Sequence, residues 1–214
     1  MNNAPNKSQH TKEFVFTDSN LQTASKIVAK YPAGRQASAL LPLLDLAQRQ
    51  HNGWLPHAAL DYVANFLGIP EVRVYEVATF YTMFNLNPIG RHHVQVCTNL
   101  SCWLRGSDDI VQACERNLGV GMGGTSDDRL FTLSEVECLC ACVNAPIIQI
   151  DDDYYEDLSP ESVDLILNQF RSGKKPKPGS QIGRKSSEPA SGLTTLTSMH
   201  WADAGDSKCE SGDT

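Results

Sequence analysis

A chain of 214 residues with 41% hydrophobic side chains can bury one large core or two small ones. Its 25 acidic against 18 basic residues give a formal charge of −7, with no basic stripe interleaved with aromatics, so no nucleic-acid partner is expected. The longest apolar stretches, Cys138 to Val143 and the proline-broken Ala39 to Leu44, fall far short of the roughly 20 residues that cross a bilayer. A soluble chain without direct membrane insertion is expected.

Met1 to Lys12 contains neither an apolar h-region nor an arginine, so no secretory signal or typical transit peptide is visible. A bacterial cytosolic setting follows, although a processed organellar protein would read the same. Residues 1–17 are expected to be disordered, and residues 18–90 to form a helical bundle. Asp18 or Ser19 can cap a first helix through Leu21, Ile27 and Val28, which Pro32 and Gly34 stop. A second carries Leu40, Leu43, Leu44 and Ala47, with Pro42 in or near its first turn. Pro56 opens a third, ended by Gly68, and Pro70 opens a fourth that runs to about Phe84. Short helices with short connections suggest an antiparallel arrangement.

At Asn87, Pro88 and Gly90 the pattern changes, and residues 91–171 read as a second domain. His93, Gln95 and Cys97 alternate with Val94 and Val96, a strand signal. Ser107 with Asp108 and Asp109 caps a helix that buries Ile110, Val111, Cys114 and Leu118. Strands are expected at Leu130 to Val136 and Pro146 to Ile150, with a short hairpin partner at Tyr154 and Tyr155. Ser159-Pro160-Glu161 starts the last helix. The fold class is therefore α+β: a helical bundle, then β, α, β, β, α in about 80 residues, an α/β sandwich of roughly thioredoxin size. From residue 172 to 214 the composition turns to Lys, Pro, Gly and Ser, and that tail is expected to be disordered.

Seven cysteines in a cytosol-like context point to metal binding or redox chemistry, because reducing compartments keep thiols free. Cys97 ends the first strand and Cys102 lies in the loop beyond it, with four residues between them. Cys138 and Cys142 share a later loop, with three residues between. Four thiolates on two loops at one end of a sheet can converge. A [2Fe-2S] core needs two thiolates per iron and accepts C-x₄-C, whereas zinc pairs more often show C-x₂-C. The spacing favours iron-sulfur. With Cys138, Cys140 and Cys142 alternating, one thiol is spare if four bind iron. Loop N–H groups, Arg105 and the N-terminus of the helix opening near Ser107 can offset the negative charge of such a centre. Cys114 reads as core and Cys209 as part of the tail.

At these residues the sequence resembles a known family. Val94-Gln95-Val96-Cys97, Cys102-Trp103-Leu104-Arg105-Gly106, the run Phe131 to Leu139, and Ala141-Cys142-Val143-Asn144-Ala145-Pro146 resemble the E subunit of proton-pumping NADH:quinone oxidoreductase, respiratory complex I. So do Tyr31-Pro32, the run Gly34 to Ala39 and the run Glu76 to Phe84, and the likeness extends from about Phe14 to Arg171. The resemblance implies a thioredoxin-like domain with one [2Fe-2S] cluster on Cys97, Cys102, Cys138 and Cys142. It further implies docking against the subunit that binds FMN and NADH, among other peripheral-arm subunits, on the cytoplasmic face of a bacterial inner membrane in preference to a mitochondrial matrix. In such complexes the cluster lies near the flavin but off the main chain of clusters, and a temporary electron store is one proposed role. The chain departs at Cys140, where the family usually has glycine: conformational freedom is lost there and a competing thiol gained. The equivalent subunit of an NAD-linked hydrogenase or formate dehydrogenase is a close alternative, and a zinc-stabilised thioredoxin-like binding module a more distant one.

Other features weigh towards structure. Gly119, Gly121 and Gly124 match G-x-G-x-x-G by letter but follow a helix and precede a strand, the reverse of a dinucleotide fingerprint, and read as a loop. His92 and His93 read as a solvent-exposed strand start, and Asp151 to Asp153 as a solvated turn. Trp103 can shield a cluster, face a partner or pack within its own domain. Glu76 to Phe84 can serve as interface as well as core. No serine, histidine and acid arrangement stands out, and thioredoxin's own C-x-x-C is missing, so dithiol exchange is not expected.

Overall fold

The computed structural model describes residues 13–195 apart from 186, 190 and 193. The chain divides into two compact units, Met1–Gln95 with Glu115–Glu135, and Val96–Cys114 with Val136–Thr214. Its boundaries fall within two strands and a helix, at residues 95, 114 and 135.

The first unit holds four helices. Helix α1, Asp18–Ala29, is capped by Thr17, one residue before the expected cap, whose hydroxyl accepts from the Asn20 N–H at 3.3 Å. A 3₁₀ turn, Gln36–Ala39, leads into α2, Leu40–Gln50, with Pro42 in its first turn, where a missing N–H forfeits no helical bond. Helix α3, His57–Leu67, runs between Pro56 and Gly68, the latter at φ +65°. Helix α4, Glu71–Phe80, follows Pro70 and stops short of Phe84. Its early end has a packing cause: Tyr81 turns extended and the Phe84 N–H closes on the Tyr81 carbonyl at 3.1 Å, which returns Phe84 to the core while Phe80 stays exposed. Leu43, Leu44, Leu60, Val63 and Val74 form the centre of that core.

The disorder expected through residue 17 stops earlier. Phe14 and Phe16 are buried and meet Tyr62 edge-on, at 5.6 and 5.2 Å between ring centroids. Aromatic side chains two apart on an extended segment face the same way, and these two contribute area that the helices alone lack. Residues 1–12 lie outside the described residues.

Beyond the helices, the first unit ties residues 90–92 to 129–132. The Gly90 N–H donates to Thr132 Oγ1 at 2.6 Å, and the N–H groups of Arg91 and His92 donate to the carbonyls of Arg129 and Leu130. A Cβ on Gly90 would stand 2.7 Å from the Phe131 carbonyl carbon, so only glycine fits. His92 and His93 are half-buried rather than solvent-exposed: His93 Nε2 lies 2.8 Å from Ser134 Oγ, and the His92 ring lies 5.8 Å from Phe131. The glycine-rich segment is a loop, turned by a Gly124 N–H to Gly121 carbonyl bond.

The later elements are β1, His92–Cys97; α5, Leu100–Leu104; α6, Ser107–Leu118; β2, Phe131–Val136; a 3₁₀ turn, Cys142–Asn144; β3, Ile148–Ile150; β4, Asp153–Glu156; α7, Pro160–Arg171; and β5, Gly179–Ser180. The strands form one mixed sheet in the order β2-β1-β3-β4-β5. β3 and β4 make an antiparallel hairpin in the register Ile148 to Tyr155, turned by Asp151 at φ +56°. Helix α7 begins with a reciprocal cap between Ser159 and Ser162. The β, α, β, β, α order read from the sequence is kept, with a short helix α5 after β1 and the added strands β4 and β5.

The tail departs from expectation. Residues 172–184 return to the sheet, where β5 pairs in parallel with β4, and Lys175 forms an ion pair with Asp153 in the acidic turn. Backbone pairing needs no apolar side chain, which is why a Lys, Pro and Gly-rich segment can add to a sheet edge. Residues 196–214, Cys209 among them, lie outside the described residues.

Tyr155 on β4 is fully buried, with its ring edge-on to Phe170 of α7. Burial, with Asp153 and Asp151 adding to it, pushes its phenol up to about 12. An unfolded phenol ionises at about pH 10 while the folded one stays neutral to higher pH, so stability present below that value is lost as pH rises from there towards 12. We expect the urea midpoint to fall less between about pH 9 and about pH 11 in Tyr155→Phe than in the wild type. Equal falls would show that this phenol does not drive alkaline destabilisation.

Candidate metal centre

The four expected ligands all fall in the second unit, on two segments. Cys97 ends β1, and Cys102 lies in α5, a short helix where a loop was expected. Asn99 starts that helix, its side chain accepting from the Leu100 N–H. Cys138 follows β2 by two residues, and Cys142 opens the 3₁₀ turn.

Backbone bonds join the two segments. The Cys97 N–H donates to the Ile147 carbonyl at 3.2 Å and the Thr98 N–H to the Val136 carbonyl at 3.4 Å. The Cys97 thiol donates to the Glu137 carbonyl at 3.6 Å. Cys97 and Cys102 are buried with Leu139, Ala145 and Ile147, whereas Cys138, Cys140 and Cys142 are exposed.

The thiols lie in pairs. Cys138 Sγ and Cys142 Sγ are 3.9 Å apart. Two sulfurs on one tetrahedral metal, each about 2.3 Å from it, stand about 3.8 Å apart, so this pair is spaced to share one ion. The Cys102 thiol lies within hydrogen-bonding reach of Cys97; burial first, then that bond and the Cys97 charge, push it up to about 12. Among the described residues, no three His, Cys, Asp or Glu side chains are arranged to hold a single metal ion. Two pairs suit a two-iron core, which takes two sulfurs at each iron, better than one tetrahedral zinc.

Cys140 lies at φ +59°, in the left-handed region that a residue with a side chain seldom adopts. Its N–H donates to Cys138 Sγ at 3.4 Å, so the turn aims a backbone donor at one of the proposed ligands. Its own thiol reaches no further than the Cys138 carbonyl, at 4.0 Å.

Reading the sequence missed Tyr154 and Arg184, and named Ser107 only as the start of a helix near the cysteines. Tyr154 packs against Cys97, Cys102 and their neighbours, and burial followed by Cys140, Cys138 and Cys97 raises its phenol pKa; the alternation of Tyr154 and Tyr155 on a strand is the signal that could have shown it. Ser107 Oγ, at the start of α6, is buried without a hydrogen-bond partner among the described residues, a spare donor five residues past Cys102. Arg184 had no signal, since it lies in a segment read as tail. Arg105 is exposed, and Cys114 is buried as expected.

Residues 24–171 match the family described as thioredoxin-like [2Fe-2S] ferredoxin. The chain belongs to that family. Its cofactor is a [2Fe-2S] cluster. Among curated relatives, the E subunit of NADH-quinone oxidoreductase from Rickettsia conorii is 57% identical over 74% of this chain and 95% of its own length. NADH dehydrogenase [ubiquinone] flavoprotein 2, mitochondrial, of Dictyostelium discoideum is 52% identical over 88% of this chain and 76% of its own. Among solved structures, a NAD⁺-reducing [NiFe]-hydrogenase in its air-oxidised state superposes with a TM-score of 0.54 over 61% of this chain and 23% of that one, at 17% identity, a likeness of fold. The two curated relatives are subunits of oxidoreductase complexes, and this chain is an electron-transfer subunit of the same kind.

The expected donor set leaves Cys140 outside, and the left-handed strain at its backbone gives a test. Cys140→Gly relieves the left-handed penalty, so we expect it to keep the visible spectrum of the cluster and to raise stability by about 1 kcal/mol, read from thermal unfolding. Loss of the spectrum would make Cys140 a ligand.

Proposed function

We propose that Cys97, Cys102, Cys138 and Cys142 hold the [2Fe-2S] cluster, and that the chain transfers electrons within an NADH:quinone oxidoreductase, beside the subunit that binds NADH and FMN. The 3.9 Å separation of Cys138 and Cys142, with a second thiol pair joined to it by backbone bonds, carries the ligand assignment. The names of the relatives carry the choice of complex. When bound, the cluster supplies one-electron redox chemistry.

The protein's own part is to hold four sulfurs and exclude water from half of them. Cys97 and Cys102 sit in an apolar pocket with Leu139, Ala145 and Ile147, where a thiolate lacks solvation and requires a metal as counter-charge. Cys138 and Cys142 stay exposed, and Cys138 receives the Cys140 N–H instead. Leu100, Trp103, Leu104 and Val143 are exposed apolar residues on the two cysteine-bearing segments, with Trp103 at 55%. Such a group supports a partner face here, where the flavin-binding subunit would dock. No helix among the described residues is long and apolar enough to cross a membrane. We place the chain as a peripheral subunit with other peripheral-arm subunits, on the cytoplasmic face of a bacterial inner membrane.

Anaerobically purified protein should contain about two irons and about two acid-labile sulfides per chain, absorb in the visible, and give an EPR signal after dithionite reduction. Cys97→Ser and Cys142→Ser should each abolish that spectrum, and a flavoprotein should copurify from native membranes. A colourless protein carrying zinc would overturn the electron-transfer reading, since zinc has no redox chemistry.

A further inference from the structure

The family match ends at residue 171, yet the chain continues in an ordered course that ends on the Cys142 turn. After α7, β5 joins β4 in the register Tyr155 to Gly179 and Glu156 to Ser180, and the Gln181 N–H donates to the Glu156 carbonyl at 3.0 Å. Arg184 follows. One arm of its guanidinium donates to Asp157 Oδ1 at 3.2 Å and the other to the Val143 carbonyl at 3.0 Å. Val143 is the residue next to Cys142.

The anchor of this fork is itself fixed. The Asp157 side chain is 3% exposed, and its second carboxylate oxygen accepts from Ser180 Oγ at 2.6 Å. Ser180 Oγ in turn accepts from the Arg184 N–H at 3.0 Å, which closes a ring of bonds within the strap. From the other side, the Asp157 N–H donates to the Asn144 carbonyl at 2.7 Å, and Asn144 Nδ2 donates to Glu156 Oε2 at 2.6 Å. Two successive carbonyls of the 3₁₀ turn, those of Val143 and Asn144, are thus held by donors from Arg184 and Asp157.

We propose that Arg184 is a positioning residue for the cluster: residues 172–184 form a strap whose guanidinium fork locks the Cys142 turn. This rests on the ligand assignment above. The lock sets how long Cys142 stays on its metal and places a fixed positive charge one residue from a ligand. A planar fork can bridge a carboxylate and a carbonyl together, whereas an ammonium is a single point charge. Partners of metal ligands that fix orientation in this way change metal retention by about 10-fold to 100-fold when removed.

The experiment uses the full chain with its cluster, comparing wild type, Arg184→Gln, Arg184→Lys and Lys175→Gln. Cluster loss to excess chelator is followed by visible absorbance, the midpoint potential by redox titration with EPR, and folding by circular dichroism. Arg184→Gln should lose its cluster about 10-fold faster, at a lowered potential, because reduction adds negative charge that the guanidinium no longer offsets. Arg184→Lys should keep the potential but not the retention. Lys175→Gln removes the strap's other ion pair, with Asp153, and should leave both near wild type. Wild-type retention and potential in Arg184→Gln would overturn the proposal, as would equal acceleration by Lys175→Gln, which would make the strap a general brace of the fold. A wild-type chain that binds no iron would remove the ligand assignment as well, whereas iron held equally well in Arg184→Gln would remove this inference alone.

Discussion

The site depends on one piece of backbone pairing, in which residues 97 and 98 bond to both arms of the segment that carries the second cysteine pair. Cys97 reaches the far arm at Ile147 and Thr98 the near arm at Val136. Everything between those arms, Cys138 to Cys142 included, is a closed loop whose two ends rest on the end of β1. Closing a loop costs entropy that grows only slowly with length, so backbone bonds at the ends suffice to define it. Because these are main-chain bonds, the side chains of the loop stay available for chemistry. The Cys97 thiol, which donates to the Glu137 carbonyl, is tied to the same loop.

That geometry gives the two thiol pairs unequal surroundings. Cys97 and Cys102 are enclosed by apolar side chains, and burial pushes the Cys102 thiol up to about 12. Cys138 and Cys142 are exposed, on a loop whose other partners are backbone groups. A thiolate costs more to create at the buried pair, and charge is screened better at the exposed one.

Most of the element order was legible because proline, glycine and serine punctuate it. Pro56 with Gly68, Pro70, and Ser159-Pro160 bound helices for reasons of N–H supply and φ, which packing does not overrule. The clustering of the cysteines was legible from their spacing, and the structure brings Cys138 and Cys142 within 3.9 Å of each other. What escaped depends on the rest of the molecule. Phe14 and Phe16 are ordered by contacts distant in sequence, Tyr62 and Gln50 among them, and α4 ends early as Phe84 returns to the core. The strap was unreadable because main-chain pairing and a few polar side chains, Arg184 among them, hold it, and neither leaves a hydrophobic pattern.

Cys140 brings local and global demands into conflict. Its letter argues against a positive φ, and its place between Cys138 and Cys142 argues for one, since only a sharp turn brings the Cys140 N–H to the Cys138 sulfur while letting Cys142 return within 3.9 Å of it. The structure resolves this in favour of the sulfurs: the backbone takes the left-handed conformation, and the exposed side chain places its thiol 4.0 Å from the Cys138 carbonyl. A residue bearing Cβ can stand in the place of a glycine here because the strain, of order 1 to 2 kcal/mol, is set against two sulfur contacts and the backbone bonds that close the loop. The conformation thus belongs to the turn rather than to the residue.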